Sequence, residues 1–488
     1  MPAPTTTVPI GLAGPSYLWR SLVPEASRTV NYFPQVIQSE NGRGVSQLML
    51  MTTPGLISFM DKTADANVGK ARGLLTHSSG ILIAVLGPNV YTVTTAGVGT
   101  LRGTVSDDGL PVSMSSNLVN QVFINSGGLG YILDTSALTL TQITDPDFPN
   151  TVFSGFLDQY FIALRNTAQQ FYISAVGNGS SWDALDFATI ETADDEQLAL
   201  FVDRQELWFY GQKLINIYYN SGNADFPFDP RPGGIIQTGI GAPNSIARVD
   251  TMVLLLSISE SGWYSVINTS GYNATRMSDD ALEHTINDYT TKSDAIGFAQ
   301  GDFYWLYFPS ANATWVLDVR TKMWHQRMYF NTLTGQEEAH RASCAAYFGG
   351  KTIVGDRESG KLYELSDNVF YDDGNAIYRI RRAPHIMKPG RGGESLIYKF
   401  LRVYCQNGVG ELGASGAINV DPQFLMRYSD DGARTWSDQL EGAMGAMGEY
   451  RTVTEWRGLG STNFERTIEL STTAPVSHVV LEAYVGVE

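Results

Sequence analysis

Apolar residues in this chain gather into short runs separated by turn-forming residues, as in Ile81-Leu82-Ile83-Ala84-Val85, then Gly87-Pro88-Asn89, then Val90-Tyr91-Thr92-Val93. Runs of this length, rich in β-branched and aromatic residues and bounded by Gly, Pro and Asn, predict short strands joined by tight turns. Similar units begin near Arg72, Val112, Val152, Leu198, Ile246, Ala295 and Ala342, a spacing of roughly 40 to 50 residues that suits propeller blades. The sixth unit shows the pattern best: Phe303-Tyr304-Trp305-Leu306-Tyr307-Phe308, a turn, Thr314-Trp315-Val316-Leu317-Asp318, a second turn, then Met323-Trp324-His325. A four-stranded antiparallel blade cannot bury both faces by itself, whereas a ring of blades gives each face a neighbour and leaves only short edges. The expectation is an all-β chain whose residues 71–374 form a β-propeller of about six to eight blades, with seven matching the count of units.

After Asp372-Asp373-Gly374 the spacing breaks, which places a boundary near residue 375. The remainder, 375–488, carries longer alternating stretches at 395–404, 423–429 and 479–484, the pattern of a C-terminal β-sandwich-like domain. Residues 1–70, rich in Pro, Thr and Ser at their start, read as an N-terminal arm and docking segment that stays mobile until it meets another surface.

Composition adds exclusions. An apolar content of 43% with 11% aromatic residues is that of a folded protein. The formal net charge of −17 repels phosphate, which argues against tight nucleic-acid binding. Cys344 and Cys405 have no metal-ligand spacing around them, and the start of the chain lacks the basic and apolar regions of a signal peptide. The longest aliphatic run, at 252–256, is too short to cross a bilayer, so no membrane span is expected.

Candidate chemistry is sparse. Ser429-Asp430-Asp431-Gly432-Ala433-Arg434-Thr435-Trp436 resembles the Asp box of sialidase-type propellers, with Ala433 in place of the second glycine. Ser429, Asp431, Gly432 and Trp436 are expected to make a structural hairpin in which the carboxylate accepts backbone N–H groups and the indole packs beneath. A sialidase would need an arginine cluster and a Tyr–Glu pair, which this single box does not supply. Neighbouring acids such as Asp194-Asp195-Glu196 and Asp279-Asp280 are read as solvated loops, and the six histidines show no ligand spacing. Gly355, Gly360 and Lys361 match part of a phosphate-loop spacing, but Leu362 stands where a Ser or Thr should be, and the segment reads as a hairpin tip. Arg379, Arg381, Arg382, Lys388 and Arg391 form a locally positive stretch, a candidate subunit contact alongside a solvated edge strand, with DNA contact ranked below both. No catalytic residue, metal or cofactor is expected, and the chain is read as a non-enzyme.

Several stretches, in order, are similar to the packaged-DNA stabilisation (tail hub or nozzle) proteins of short-tailed bacteriophages. They are Arg28-Thr29-Val30-Asn31-Tyr32-Phe33-Pro34, Thr53-Pro54-Gly55-Leu56, Arg72-Gly73, Leu207-Trp208-Phe209-Tyr210-Gly211 and Ile217-Tyr218-Tyr219-Asn220-Ser221-Gly222. Arg276-Met277-Ser278, Ala281-Leu282-Glu283, Gly360-Lys361-Leu362-Tyr363 and Trp456-Arg457-Gly458-Leu459-Gly460 continue the series. The resemblance implies a virion tail protein made in the bacterial cytoplasm, which assembles as a homo-oligomeric ring of six. Such a ring meets the head-to-tail adaptor and other tail proteins such as fibres, spikes or needle, retains packaged DNA, and conducts it without sequence-specific binding. Acids facing the channel would keep DNA from adhering. The alternative is a glycan- or receptor-binding propeller, which should show aromatic platforms and amides in loops at one propeller face; a glycosidase ranks below it.

Overall fold

The computed structural model describes residues 5–19, 25–36, 48–117, 119–191, 194–386, 395–408 and 421–488. Within them the short apolar runs are strands, and the one α-helix is Asp280–Asp288, capped by the Asp279 carboxylate on the Leu282 N–H at 2.8 Å.

Seven strands form the inner ring of a propeller: Ala71–Thr76, Ser113–Ser116, Thr151–Leu157, Gln197–Asp203, Ala247–Val249, Ile296–Gln300 and Ala342–Phe348. Each begins within a residue or two of a unit start predicted from the sequence. Neighbours touch around the whole circle, with Pro243–Ser245 completing the fifth position and Ala342–Phe348 returning to Ala71–Thr76. Six blades use strands consecutive in sequence. The seventh is composite: Ala342–Phe348, Lys351–Asp356 and Lys361–Ser366 take their outer strand from Gly55–Asp61, which pairs antiparallel with Lys361–Ser366.

Between blades the alternation puts apolar rows face to face. Ile83, Val85 and Val90 of the first blade meet Val122, Ile124 and Leu133 of the second. Phe171 and Phe209 bring the third and fourth together with ring centroids 4.5 Å apart. Leu56 of the closing strand joins Trp305, Val316, Val354 and Tyr363 between the sixth and seventh. Each such side chain contributes on the order of 1.5–3 kcal/mol when removed from water, so the ring is held by its interblade seams.

Residues 1–70 are not a loose arm in their described parts. Thr6–Ile10 pairs antiparallel with Val479–Val487, and Tyr32–Val36 with Leu48–Thr52 joins the same sheet. Ala26–Val30 lies between Met323–Asn331 of the sixth blade and Arg379–Arg382, welding propeller to C-terminal unit through one continuous sheet. The cause is apolar: Val30, Tyr32, Leu50 and Leu56 are fully buried and cannot be left on a mobile segment. In the C-terminal unit two sheets face each other, Tyr398, Leu401, Val403 and Val485 from one against Phe424, Met426, Ile468 and Leu470 from the other. No helix among the described residues is long and apolar enough to cross a membrane.

A Cβ on Gly55 would stand 2.3 Å from the Tyr371 carbonyl oxygen and 2.7 Å from that of Val369. Gly55→Ala is therefore expected to push the closing strand off its seat and lower the unfolding free energy by about 2 kcal/mol, read by urea denaturation; an unchanged midpoint would show that the closure does not depend on this approach.

Candidate functional site

The Asp-box-like segment leaves the strand Gln423–Ser429 and turns through Gly432 and Ala433, both at positive φ (73° and 66°). The Asp431 carboxylate fills the turn, accepting from the backbone N–H of Arg434 (3.0 Å) and Thr435 (2.9 Å) and from the hydroxyls of Thr435 and Ser429 (both 2.7 Å). The Thr435 hydroxyl and N–H and the Ser429 hydroxyl hold it well below the usual carboxylate range. A base so fully occupied has no free lone pair for a reaction.

The Trp436 ring lies between two guanidinium groups, Arg382 at 4.9 Å and Arg427 at 4.7 Å. Both arginines reach the buried Glu469, Arg382 Nε at 2.9 Å and Arg427 Nε at 2.7 Å. The hairpin and the basic strand, read separately from sequence, thus meet in one Arg–Glu–Arg cluster. Beside it the buried Arg466 makes a two-pronged pair with Asp430, both contacts 2.6 Å, between the rings of Tyr428 (4.0 Å) and Tyr398 (4.3 Å). Arg466 and Glu469 were missed because nothing in Phe464-Glu465-Arg466-Thr467-Ile468-Glu469 marks them; the one available signal is charge at inward positions of an alternating strand.

The basic strand corrects the sequence reading. Arg379–Arg382 has a neighbour on each side, so it is not an edge, and Arg379 and Arg381 are buried. Arg381 is spent on the N-terminal segment, donating to the carbonyls of Leu12, Pro15 (3.0 Å) and Gly11 (3.2 Å) and to the Thr29 hydroxyl (2.7 Å). Arg379 donates to the Ala474 carbonyl at 3.2 Å. These side chains are withdrawn from any surface a second subunit could meet. Lys388 and Arg391 lie outside the described residues. The phosphate-loop look-alike is a hairpin, with Lys361 paired to Asp373 at 2.9 Å.

Between the sixth and seventh blades Arg327 is buried against the Trp305 ring at 5.1 Å, and its three guanidinium nitrogens have no hydrogen-bond partner among the described residues. Burial pulls its pKa down to about 9. Nearby, burial pushes the Asp372 carboxyl up to about 7 despite the pull of Arg379 and Arg327. His340 and His478 are likewise held neutral by burial, each down to about 3. Among the described residues no group of three His, Cys, Asp or Glu side chains could hold a metal ion.

The propeller axis is a channel of about 470 Å³ lined by six of the seven inner strands and, at the fifth position, by Pro243, Asn244 and Ile246; Met114, Phe153, Phe156, Phe201, Phe298 and Ser343 are among the lining residues. Among the described residues no acid lines it, and the one charged lining residue, Arg72, is buried and committed to Asp108, the Ser126 hydroxyl (2.8 Å) and the Leu110 carbonyl (2.6 Å). Duplex DNA, whose major groove alone is about 12 Å wide, does not fit such a space.

A family model described as phage stabilisation, bacteriophage P22 Gp10, β-propeller, matches residues 26–370. No curated protein matches the chain. Among solved structures, virginiamycin B lyase from Staphylococcus aureus is similar at 11% identity over 64% of this chain and 98% of that one, with a TM-score of 0.44. The extracellular domain of BT4673 from B. thetaiotaomicron is similar at 11% identity over 90% and 61%, with a TM-score of 0.41.

Two outcomes test these assignments. Glu469→Ala leaves two guanidinium groups without their carboxylate and should cost about 3 kcal/mol of stability, measured by chemical denaturation; a loss below about 1 kcal/mol would mean that the cluster is solvated. For Asp372, the fold keeps a proton that the unfolded chain releases near the ordinary carboxylate value. Its contribution to stability should therefore fall as pH rises from about 4 towards 7, against the opposite contributions of the neutral His340 and His478, so Asp372→Asn should make stability climb more steeply with pH over that window in melting curves. An identical slope in the variant would contradict the raised pKa.

Proposed function

The chain belongs to the phage-stabilisation family of the bacteriophage P22 Gp10 β-propeller, a family of phage structural proteins, and from that premise we propose that it is a ring-forming subunit of the virion tail. Six copies join the head-to-tail adaptor, retain the packaged genome and conduct it outward during ejection, with fibres, spikes or needle as further neighbours. The observation that carries the reading is the family match, which runs from the strand Ala26–Val30 through the composite seventh blade.

The geometry supports a passage formed between subunits. A propeller axis closed to a duplex leaves the genome no route through one chain, and the net charge of −17 gives walls that phosphate does not adhere to. With Arg379 and Arg381 buried, the surface for subunit contacts is better sought in exposed apolar side chains, of which Tyr450 (74% exposed) and Phe464 (72%) stand on turns of the C-terminal unit.

Light scattering and native mass spectrometry of the purified chain, alone and with the adaptor, should give a closed ring. Tyr450→Glu with Phe464→Glu should shift the mass towards monomer while changing monomer stability by no more than about 0.5 kcal/mol. Reversing Arg381 and Arg382 to Glu should instead unfold the monomer. A chain that stays monomeric with its adaptor, or is absent from purified virions, would overturn the proposal.

A further inference from the structure

At one mouth of the axial channel lies a second cavity, about 250 Å³. Its walls come from the segments that lead from blade to blade, at 108–111, 196–198 and 243–244, and from the hairpins at 127–128 and 166–167. Because successive strands run antiparallel, these segments all fall at the same end of the propeller.

Two observations mark it as a site. Thr167, on the rim, sits at φ +51°, a left-handed conformation that β-branched residues avoid and that gathers at functional sites. The lining offers the side-chain amides of Asn166 and Asn244 and the Phe153 ring.

The charges decide the class of ligand. Among the described residues no Lys, Arg or His lines the cavity. Its two acids, Asp108 and Glu196, are engaged by Arg72 and by Gln212 (3.2 Å) respectively. Anions are repelled, and a cation would compete with Arg72 for Asp108. Amides and hydroxyls that both donate and accept, over an apolar floor of Phe153, Val152 and Leu198, match a molecule with many hydroxyls and a C–H face. We propose that this cavity binds a neutral saccharide, one or two sugar residues held by the amides of Asn166 and Asn244 with the Phe153 ring. The proposal goes beyond the ring and does not depend on it.

The test uses the full chain, with saturation-transfer NMR and calorimetry against glucose, galactose, mannose, N-acetylglucosamine, maltose and lactose. Glucuronate, N-acetylneuraminate and trialanine are the comparators. At least one neutral sugar should bind with a millimolar constant and weaken about ten-fold in Asn244→Ala, about 1.4 kcal/mol, and similarly in Asn166→Ala. Asn166 is exposed and Asn244 partly exposed, so both variants should stay folded and Asn166→Ala should keep the melting temperature of the parent. Saturable binding by no neutral sugar, binding unchanged in both variants, or preference for glucuronate or trialanine would each overturn the proposal.

Discussion

A blade of four short strands has two apolar faces and can cover neither, so every blade here is stable only because the next one is present. That constraint makes the join between last and first blade the contact on which the ring depends. The chain meets it by returning Gly55–Asp61 to Lys361–Ser366, placing Leu56 in the seam between the sixth and seventh blades. The loop so closed spans most of the chain, and contacts of such separation are slow to form because their entropy cost precedes their reward. Once the closing strand is in place, the strands preceding it are fixed in space. They are used to build the second unit, which explains why the C-terminal sheets contain N-terminal strands.

The same economy explains the arginines. Where the chain crosses from propeller to sandwich, backbone carbonyls of an irregular segment must be satisfied away from water. Arg381 does this for residues 11–15, and Arg382, Arg427 and Arg466 hold the hairpin of Asp431 against the sheet through Glu469 and Asp430. Charge that looks like a binding patch in the sequence is consumed in holding the two units together.

The blade starts at Arg72, Val112, Val152, Leu198, Ile246, Ala295 and Ala342 were legible because each unit repeats the same alternation, and local pattern suffices to place strands. The Asp-box-like hairpin was legible for the same reason: all its hydrogen bonds fall within a few residues. Long-range pairings were not. Nothing near Ala26 announces that its strand will lie between residues far away, and a Pro- and Thr-rich start suggested a loose arm. Arg379 and Arg381 misled because a sequence shows charge but not burial, and their partners, Ala474 and Leu12, are distant carbonyls that no motif can flag. The axial channel and the cavity at its mouth are assembled from many blades at once, which puts them beyond any local reading.

The central claim is that the genome passes between subunits and never through a propeller. Electron cryomicroscopy of assembled tails tests this most directly, by locating DNA density relative to each propeller axis. The account predicts a ring of copies with the duplex in their shared channel and no nucleic acid along the axis lined by Phe153, Phe201 and Phe298. DNA density threading that axis would contradict it.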